Sequence, residues 1–210
     1  GYYTVKMSNM SSGESRETRV EGFQVLNTVT EHEAYIRSMC QADFISTALM
    51  PDAFDQVIGD LAEMIRMRMA AGNEKMLFIT LGANYVGLYE YYDSGLRARL
   101  NPEERAYFDR CIRLVMSIVN RKNLLPPEQE RTEDAYRVIG DSEELCACPN
   151  MPSFFRLEKN LSAAMVVKIW TGNLVQCSMA FVALAHGLTR SCEAAYHPVA
   201  SRYAYYAAAE

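Results

Sequence analysis

The stretch EKMLFITLGANYVGLYEYYDSG, residues 74–95, is the part of the sequence on which the predicted fold depends, because its apolar residues fit the spacing of both a strand and a helix. Met76 to Leu81 form an apolar run with the length of a buried strand. Five apolar or aromatic residues keep helical spacing over a longer range: Leu77, Leu81, Tyr85, Leu88 and Tyr92. The longer periodicity favours a helix in which Gly82 and Gly87 let another element approach, each costing about 1 kcal/mol relative to Ala.

Helix signals also occur on either side of this stretch. Thr30 and Glu33 have the spacing of a capping box. Pro51 precedes an apolar stripe at helical spacing made of Phe54, Val57, Ile58, Leu61, Ile65 and Met69. Asn101 and Pro102 open a further helix with a strong cap and first turn. Its core side is expected to include Tyr107, Cys111, Leu114 and Ile118.

The C-terminal part of the sequence contains a long apolar helix pattern. Between positions 161 and 188 one side has heptad-like spacing: Val166, Trp170, Leu174, Cys177, Phe181, Leu184 and Leu188. This pattern predicts a central buried helix. Strands do not alternate with helices anywhere, so the predicted class is mostly α, an irregular multi-helix bundle with an extended N-terminal arm and a short C-terminal segment.

Five segments follow from changes in composition along the chain. Polar residues 1–27 form an arm, and residues 28–125 a first helical lobe. Residues 126–152, which are acidic and rich in proline, connect it to a second lobe at 153–197, and residues 198–210 form a C-terminal arm.

Composition narrows the functional classes. Net charge is −5, which disfavours general binding of polyanions, and half of the residues are apolar, as in a globular protein. The most apolar window, Leu174 to Ala185, is too short to cross a membrane, and no signal peptide is recognised. Six scattered cysteines indicate a reducing intracellular location, or a virion if this is a coat protein.

No arrangement of residues specific to a reaction is found. Cys146 and Cys148 form a C-A-C pair, but His32, His186 and His197 lie far from it in sequence, so two thiols on a loop are favoured over a zinc site. The sequence has no phosphate-binding glycine motif of the Walker or Gly-x-Gly-x-x-Gly type. We therefore expect no enzyme, no cofactor and no metal.

Basic residues are concentrated in one segment. Arg110, Arg113 and Arg121 share one face of the helix predicted after Pro102, and Lys122 follows them. An acidic segment lies between Glu128 and Glu144. The arrangement fits either two solvated faces or a stripe that binds phosphates, with single-stranded RNA as the candidate partner.

Tyrosines occur at both ends of the chain, as Tyr2, Tyr3, Tyr203, Tyr205 and Tyr206. They can pack on their own subunit or link subunits into a homo-oligomer. The leading hypothesis is a self-assembling structural subunit, a coat or nucleocapsid protein that packages RNA in a helix or ring. The alternatives are a helical protein-binding or regulatory domain and a thiol- or metal-dependent enzyme.

Overall fold

The computed structural model describes residues 1–8, 12–120, 123–124, 131–133, 137–141, 145, 148, 151–152 and 155–209. These residues form two units, Gly1–Lys159 and Asn160–Glu210, which are treated separately below. The strands are β1 Tyr2–Ser8, β2 Ser15–Glu21, β3 Phe44–Thr47, β4 Leu77–Leu81, β5 Ile112–Asn120, β6 Asn123–Leu124, β7 Arg131–Glu133, β8 Arg137–Asp141 and β9 Phe155–Glu158. The helices of the first unit are α1 His32–Gln41, α2 Phe54–Ala70, α3 Leu88–Arg99 and α4 Pro102–Cys111.

A five-stranded sheet in the order β3-β4-β5-β8-β9 organises the first unit. β3, β4 and β5 are parallel neighbours, β8 runs antiparallel to β5, and β9 is parallel to β8. Because α2 connects β3 to β4, and α3 with α4 connects β4 to β5, these elements form one continuous βαβαβ unit. The prediction of a mostly α bundle is therefore wrong.

Residues 76–92, which decided the predicted fold, do not form one helix. Leu77–Leu81 is the central parallel strand β4, with all five residues buried, and α3 begins only at Leu88. Leu77, Ile79 and Leu81 belong to the larger core cluster, whereas Phe78 lies in a different cluster with Val115. This alternation is the two-residue repeat of a strand, and burial on both faces is typical of a parallel sheet.

The helix predicted after Pro51 is confirmed. A short 3₁₀ turn, Pro51–Ala53, leads into α2, and Phe54, Ile58, Leu61 and Ile65 of the predicted stripe are buried. The helix ends at Ala70, and Gly72 follows with a left-handed φ of 63°, a conformation that glycine adopts without strain. Thr30, in contrast, does not cap α1, because that helix begins at His32 with Glu31 in the cap position.

The helix predicted after Pro102 begins as expected but ends early. Asn101 and Glu104 form the full capping box of α4. The helix then stops at Cys111, and Ile112 begins β5 directly. Leu114 and Ile118, which were expected on the core side of this helix, are buried strand residues.

The N-terminal residues form part of a second sheet, with strand order β2-β1-β7-β6. β1 pairs antiparallel with β2 from Tyr2↔Glu21 to Ser8↔Ser15, and parallel with β7. Residues 1–27, expected to be an extended arm, thus contain two paired strands. Most of the connection expected at 126–152 lies outside the described residues.

The second unit is helical. Its elements are α5 Leu161–Val167, a π-helix Lys168–Leu174, α6 Val175–Ala185, α7 Ser191–Tyr196 and α8 Pro198–Ala209. α6, α7 and α8 pack through small residues, since Ala183, Ala194 and Ala200 form one buried cluster. Trp170, Phe181 and Leu184, which the heptad-like pattern placed in a core, are 61–76% exposed, so that part of the prediction is wrong.

The run Leu161–Ala185 is 25 residues long and, by length and composition alone, is apolar enough to cross a membrane. Core helices of soluble proteins, which are mostly buried, satisfy the same criterion, whereas 6% of the apolar window is buried here.

Candidate functional site

The carboxyl ends of the parallel strands define the candidate site of the first unit. Since β3, β4 and β5 run in the same direction, Thr47, Gly82 and Ser117 lie at one edge of the sheet. Thr47 and Ser117 are buried. Ligands of open α/β sheets bind outside this edge, because the loops that follow the strands converge there.

Gly82 is held tightly between its neighbours at this edge. Its backbone N–H donates to the Thr47 carbonyl oxygen at 2.9 Å. A Cβ at this position would lie 2.9 Å from that same oxygen, 3.1 Å from Val119 Cγ2 and 3.3 Å from Ser117 Oγ. Any residue with a Cβ at this position would push the three strands apart, so glycine is required here.

Side-chain hydroxyl groups form hydrogen bonds at the same edge of the sheet. The Thr47 hydroxyl donates to the Thr80 carbonyl oxygen at 3.1 Å, and the buried Tyr92 side chain hydrogen-bonds to Thr47. Burial raises the pKa of Tyr92, so its phenol stays protonated and acts as a neutral hydrogen-bonding group.

Two helices follow strands of this edge, and at the start of α2 the Phe54 N–H donates to the Pro51 carbonyl oxygen of the preceding 3₁₀ turn. α2 follows β3, α3 follows β4, and neither has a side-chain cap at its N-terminus. The first N–H groups and the positive end of the dipole of such a helix favour anions, phosphates among them. Phe54, the first residue of α2, contacts the rings of Tyr85, Tyr91 and Tyr92 at 5.5–5.8 Å, and this aromatic cluster fixes where the helix starts.

Lys168 is the chemically distinctive residue of the second unit. It begins the π-helix and is half-buried. Burial lowers the pKa of its amine from the ordinary value of 10.5, because it disfavours the charged form. Short π segments within α-helices are frequent at functional sites. Asn173 lies in the same π segment, five residues after Lys168, and a lysine with a depressed pKa is suited to act as a base.

Lys168 was not among the residues predicted from the sequence, although the sequence contains a signal for it. Lys168 is the only charged residue between Leu161 and Ala185. A lone lysine in such an apolar helix has to be partly desolvated, and desolvation is what perturbs its pKa.

The predicted basic stripe is not a face of one helix. Arg110 lies in α4 and pairs with Glu74 at 2.9 Å, whereas Arg113 lies in β5 and donates to the Asp109 and Ile112 carbonyl oxygens. Arg121 and Lys122 fall outside the described residues. Nucleic-acid binding by these four residues stays a prediction.

The terminal tyrosines lie in regular elements. Tyr2 and Tyr3 belong to β1, where the Arg19 guanidinium stacks over Tyr2 at 3.9 Å and Tyr3 meets Phe23 edge to face. The other three belong to α8 and are exposed: Tyr203, Tyr205 and Tyr206. A role for these five residues in a subunit interface stays a prediction.

Metal binding finds no support in the part of the chain that the structure describes. Within it, no group of three or more His, Cys, Asp or Glu side chains is placed to hold a metal ion. Cys148 is half-buried and forms no disulfide with any described residue, and Cys146 lies outside the described residues.

Comparison with known proteins gives a consistent likeness to dehydrogenases. No protein-family model matches the sequence. Mannitol-1-phosphate 5-dehydrogenases of Streptococcus pneumoniae, those of strains CGSP14 and R6 among them, are 24% identical over 139 residues, which is 66% of this chain and 35% of theirs. The solved ternary complex of Pseudomonas fluorescens mannitol 2-dehydrogenase with NAD and D-mannitol superimposes with a TM-score of 0.78 at 12% identity, over 97% of this chain and 51% of that one.

The fold is Rossmann-like. The chain spans about a third of the length of its curated relatives and about half of the solved neighbour. The expectation of a coat or nucleocapsid protein without enzymatic activity is wrong, since the proteins that resemble this chain in sequence and in fold are dehydrogenases. The intracellular location expected from the thiols stands, and the virion alternative has no support.

Proposed function

We propose that this chain is part of an NAD-dependent oxidoreductase that interconverts a polyol or polyol phosphate and the corresponding ketose. The observation that carries the proposal is the likeness to two mannitol dehydrogenases, found once by sequence and once by fold. The solved neighbour holds NAD and D-mannitol, and the curated relatives are mannitol-1-phosphate dehydrogenases, so a polyol, a polyol phosphate and NAD are the ligand classes we assign to this chain.

The first unit has features that suit a nucleotide. Residues at the carboxyl edge of β3, β4 and β5 would hold it: Gly82 has no side chain to occupy the space next to Thr47 and Ser117, and the N-termini of α2 and α3 bring the positive ends of two helix dipoles to phosphate oxygens. Dinucleotide-binding folds of this type contain two βαβαβ halves. The described residues form one such half, and the sequence lacks the Gly-x-Gly-x-x-Gly turn. The residues of this chain therefore fit only the part of a dinucleotide site that is formed by the segments following β3 and β4.

The second unit supplies a candidate base. Oxidation of a secondary alcohol removes a hydride from carbon and a proton from oxygen. NAD, when bound, supplies the hydride acceptor. The Lys168 amine has the property that such a proton acceptor needs, since its lowered pKa keeps a larger fraction in the neutral form. Asn173, five residues further along the same π segment, has a side-chain amide that can hydrogen-bond a hydroxyl.

Binding and turnover can be measured separately. NADH is titrated into the protein and followed by its fluorescence, with NADPH and AMP as competitors. NADH formation is then followed with NAD and either D-mannitol, mannitol 1-phosphate or glycerol. We expect NADH binding that AMP weakens, and turnover of one of the two mannitol compounds in preference to glycerol.

A lysine pair provides the matched control. Lys168→Met should abolish turnover and leave NADH binding intact, whereas the same change at the exposed Lys159 should affect neither. Absence of NADH binding at saturating concentrations, or full turnover by Lys168→Met, would overturn the proposal.

A further inference from the structure

His32 connects α1 to α2 through both of its ring nitrogens. It is the first residue of α1, and its Nε2 lies 3.0 Å from Glu63 Oε2 on α2. Its Nδ1 lies 3.2 Å from the Thr28 carbonyl oxygen in the preceding turn. A carboxylate and a carbonyl oxygen can only accept hydrogen bonds, so both bonds form together only when the ring carries two protons.

The surroundings of His32 are acidic. From α2 the ring faces Glu63 and Asp60, and Asp60 is buried to 8% exposure. The Tyr35 ring lies 6.3 Å away. The two carboxylates nearest in sequence are engaged elsewhere, Glu31 with the Asn27 backbone N–H and Glu33 with Arg37. The imidazolium is thus the cation between two carboxylates of the neighbouring helix.

We propose that His32 is a pH-sensitive latch that closes the first turn of α1 onto α2. The neutral ring donates from one nitrogen only, so deprotonation breaks either the bond to Glu63 or the bond to Thr28. The first bond connects the two helices, and the second fixes the turn that leads into α1. Loss of either one loosens the start of α1 while α2, held by its own buried stripe, stays in place.

The pH range follows from the direction of the shift. The hydrogen bond to Glu63, with smaller effects from Thr28 and the charges of Glu63 and Asp60, raises the pKa of His32 above the ordinary 6.5. A raised pKa in the folded state means that the contribution is complete below pH 6.5 and disappears as the pH rises through the folded-state value. The latch is therefore closed below pH 6.5 and opens as the pH rises through the raised pKa of His32.

Ring protonation and local opening test the latch independently. Nitrogen NMR of the His32 ring at about pH 6 should show protons on both nitrogens. Amide hydrogen exchange, corrected for its intrinsic pH dependence, should show protection at Tyr35 and Ile36 falling roughly two- to fivefold between about pH 6 and pH 8.5, since the group is exposed. Protection within β4 should not change.

Substitutions separate the latch from general effects of pH. His32→Gln and Glu63→Gln should both remove the pH dependence at Tyr35 and Ile36. His186→Gln, which replaces a histidine of the other unit, should leave it intact. A His32 ring with a single proton at about pH 6, or an unchanged pH dependence in His32→Gln, would overturn the proposal. The NMR measurement of ring protonation uses the unsubstituted protein, so the proposal stays testable even if a variant fails to fold.

Discussion

The backbone of Gly82 meets the carbonyl oxygen of Thr47 so closely that a Cβ would lie 2.9 Å from it. The same oxygen accepts the Gly82 N–H at 2.9 Å, so the two strands cannot separate without losing that bond. Glycine therefore sets the spacing of β3 and β4 at the candidate nucleotide edge.

Gly82→Ala should destabilise the protein by about 1–3 kcal/mol, the range for forcing an extra methyl group into a packed site. Gly59→Ala is the matched control, because no atom lies within 4 Å of its Cβ position and the residue is inside α2. That change should stabilise by up to about 1 kcal/mol through helix propensity. Urea unfolding of the two variants tests the opposite signs, and equal effects would contradict this account of the edge.

Arg68 is 1% exposed, and its guanidinium donates to three backbone carbonyls. Cys40 lies in the last turn of α1, Ala42 lies between α1 and β3, and Lys75 lies just before β4, so one side chain joins the entries to two strands. Arg68→Lys cannot reach all three oxygens. It should cost about 2–4 kcal/mol in denaturant unfolding, because buried acceptors are left unpaired.

The exposed Arg37, which pairs with Glu33 on the same helix, is the control for this substitution. Arg37→Lys should change stability by less than about 0.5 kcal/mol. A loss at Arg68 as small as the loss at Arg37 would show that the three carbonyls find other partners.

Asn101 opens α4 with a reciprocal cap. Its Oδ1 accepts the Glu104 N–H at 2.9 Å, and Glu104 Oε2 accepts the Asn101 N–H at 2.9 Å. Asn101→Ala should lower stability by about 0.5–2 kcal/mol, whereas Asn101→Ser should retain most of it because the hydroxyl can replace the amide oxygen. Thermal unfolding of both variants distinguishes loss of the cap from any effect of removing the Asn side chain.

Lys168 should make stability depend on pH in the alkaline range. Its pKa is lowered by burial in the folded state, whereas the unfolded chain keeps the ordinary 10.5. Between these two values the unfolded chain binds more protons, so the free energy of unfolding rises as the pH rises toward 10.5. Lys168→Met should flatten this rise and Lys159→Met should not, as measured by denaturant unfolding at several alkaline pH values. An equal slope in the unsubstituted protein and Lys168→Met would show that the amine is not desolvated.

Local signals in the sequence predicted the starts of α2 and α4, although the capping box expected at Thr30 does not form. The proline before α2 and the Asn-Pro pair before α4 act within one turn, so no tertiary information was needed. The strands were missed because a spacing of four residues fits one helical turn and also two repeats of a strand. This spacing occurs in β4 between Leu77 and Leu81, and in β5 between Leu114 and Ile118. In both cases the same spacing is continued by apolar residues of a neighbouring helix, α3 after β4 and α4 before β5.

The candidate site could be predicted from the sequence only in part. Residues at the carboxyl edge are brought together by strand pairing between positions far apart in the chain, which no local pattern reports. Arg110 and Arg113 were grouped as one stripe because a continuous helix was assumed through Cys111, and the change to a strand at Ile112 removes that face. Lys168, by contrast, could have been found from its isolation in an apolar helix.

In the second unit the small alanines are expected to tolerate replacement less well than the large aromatic residues, which is the reverse of the usual order. Ala183, Ala194 and Ala200 occupy the buried contacts between helices, whereas bulky Tyr203, Tyr205 and Tyr206 lie outside them. For this unit, sequence drift should spare the smallest side chains and alter the aromatic ones. A search for related chains weighted toward large apolar residues would therefore miss the positions that hold these helices together.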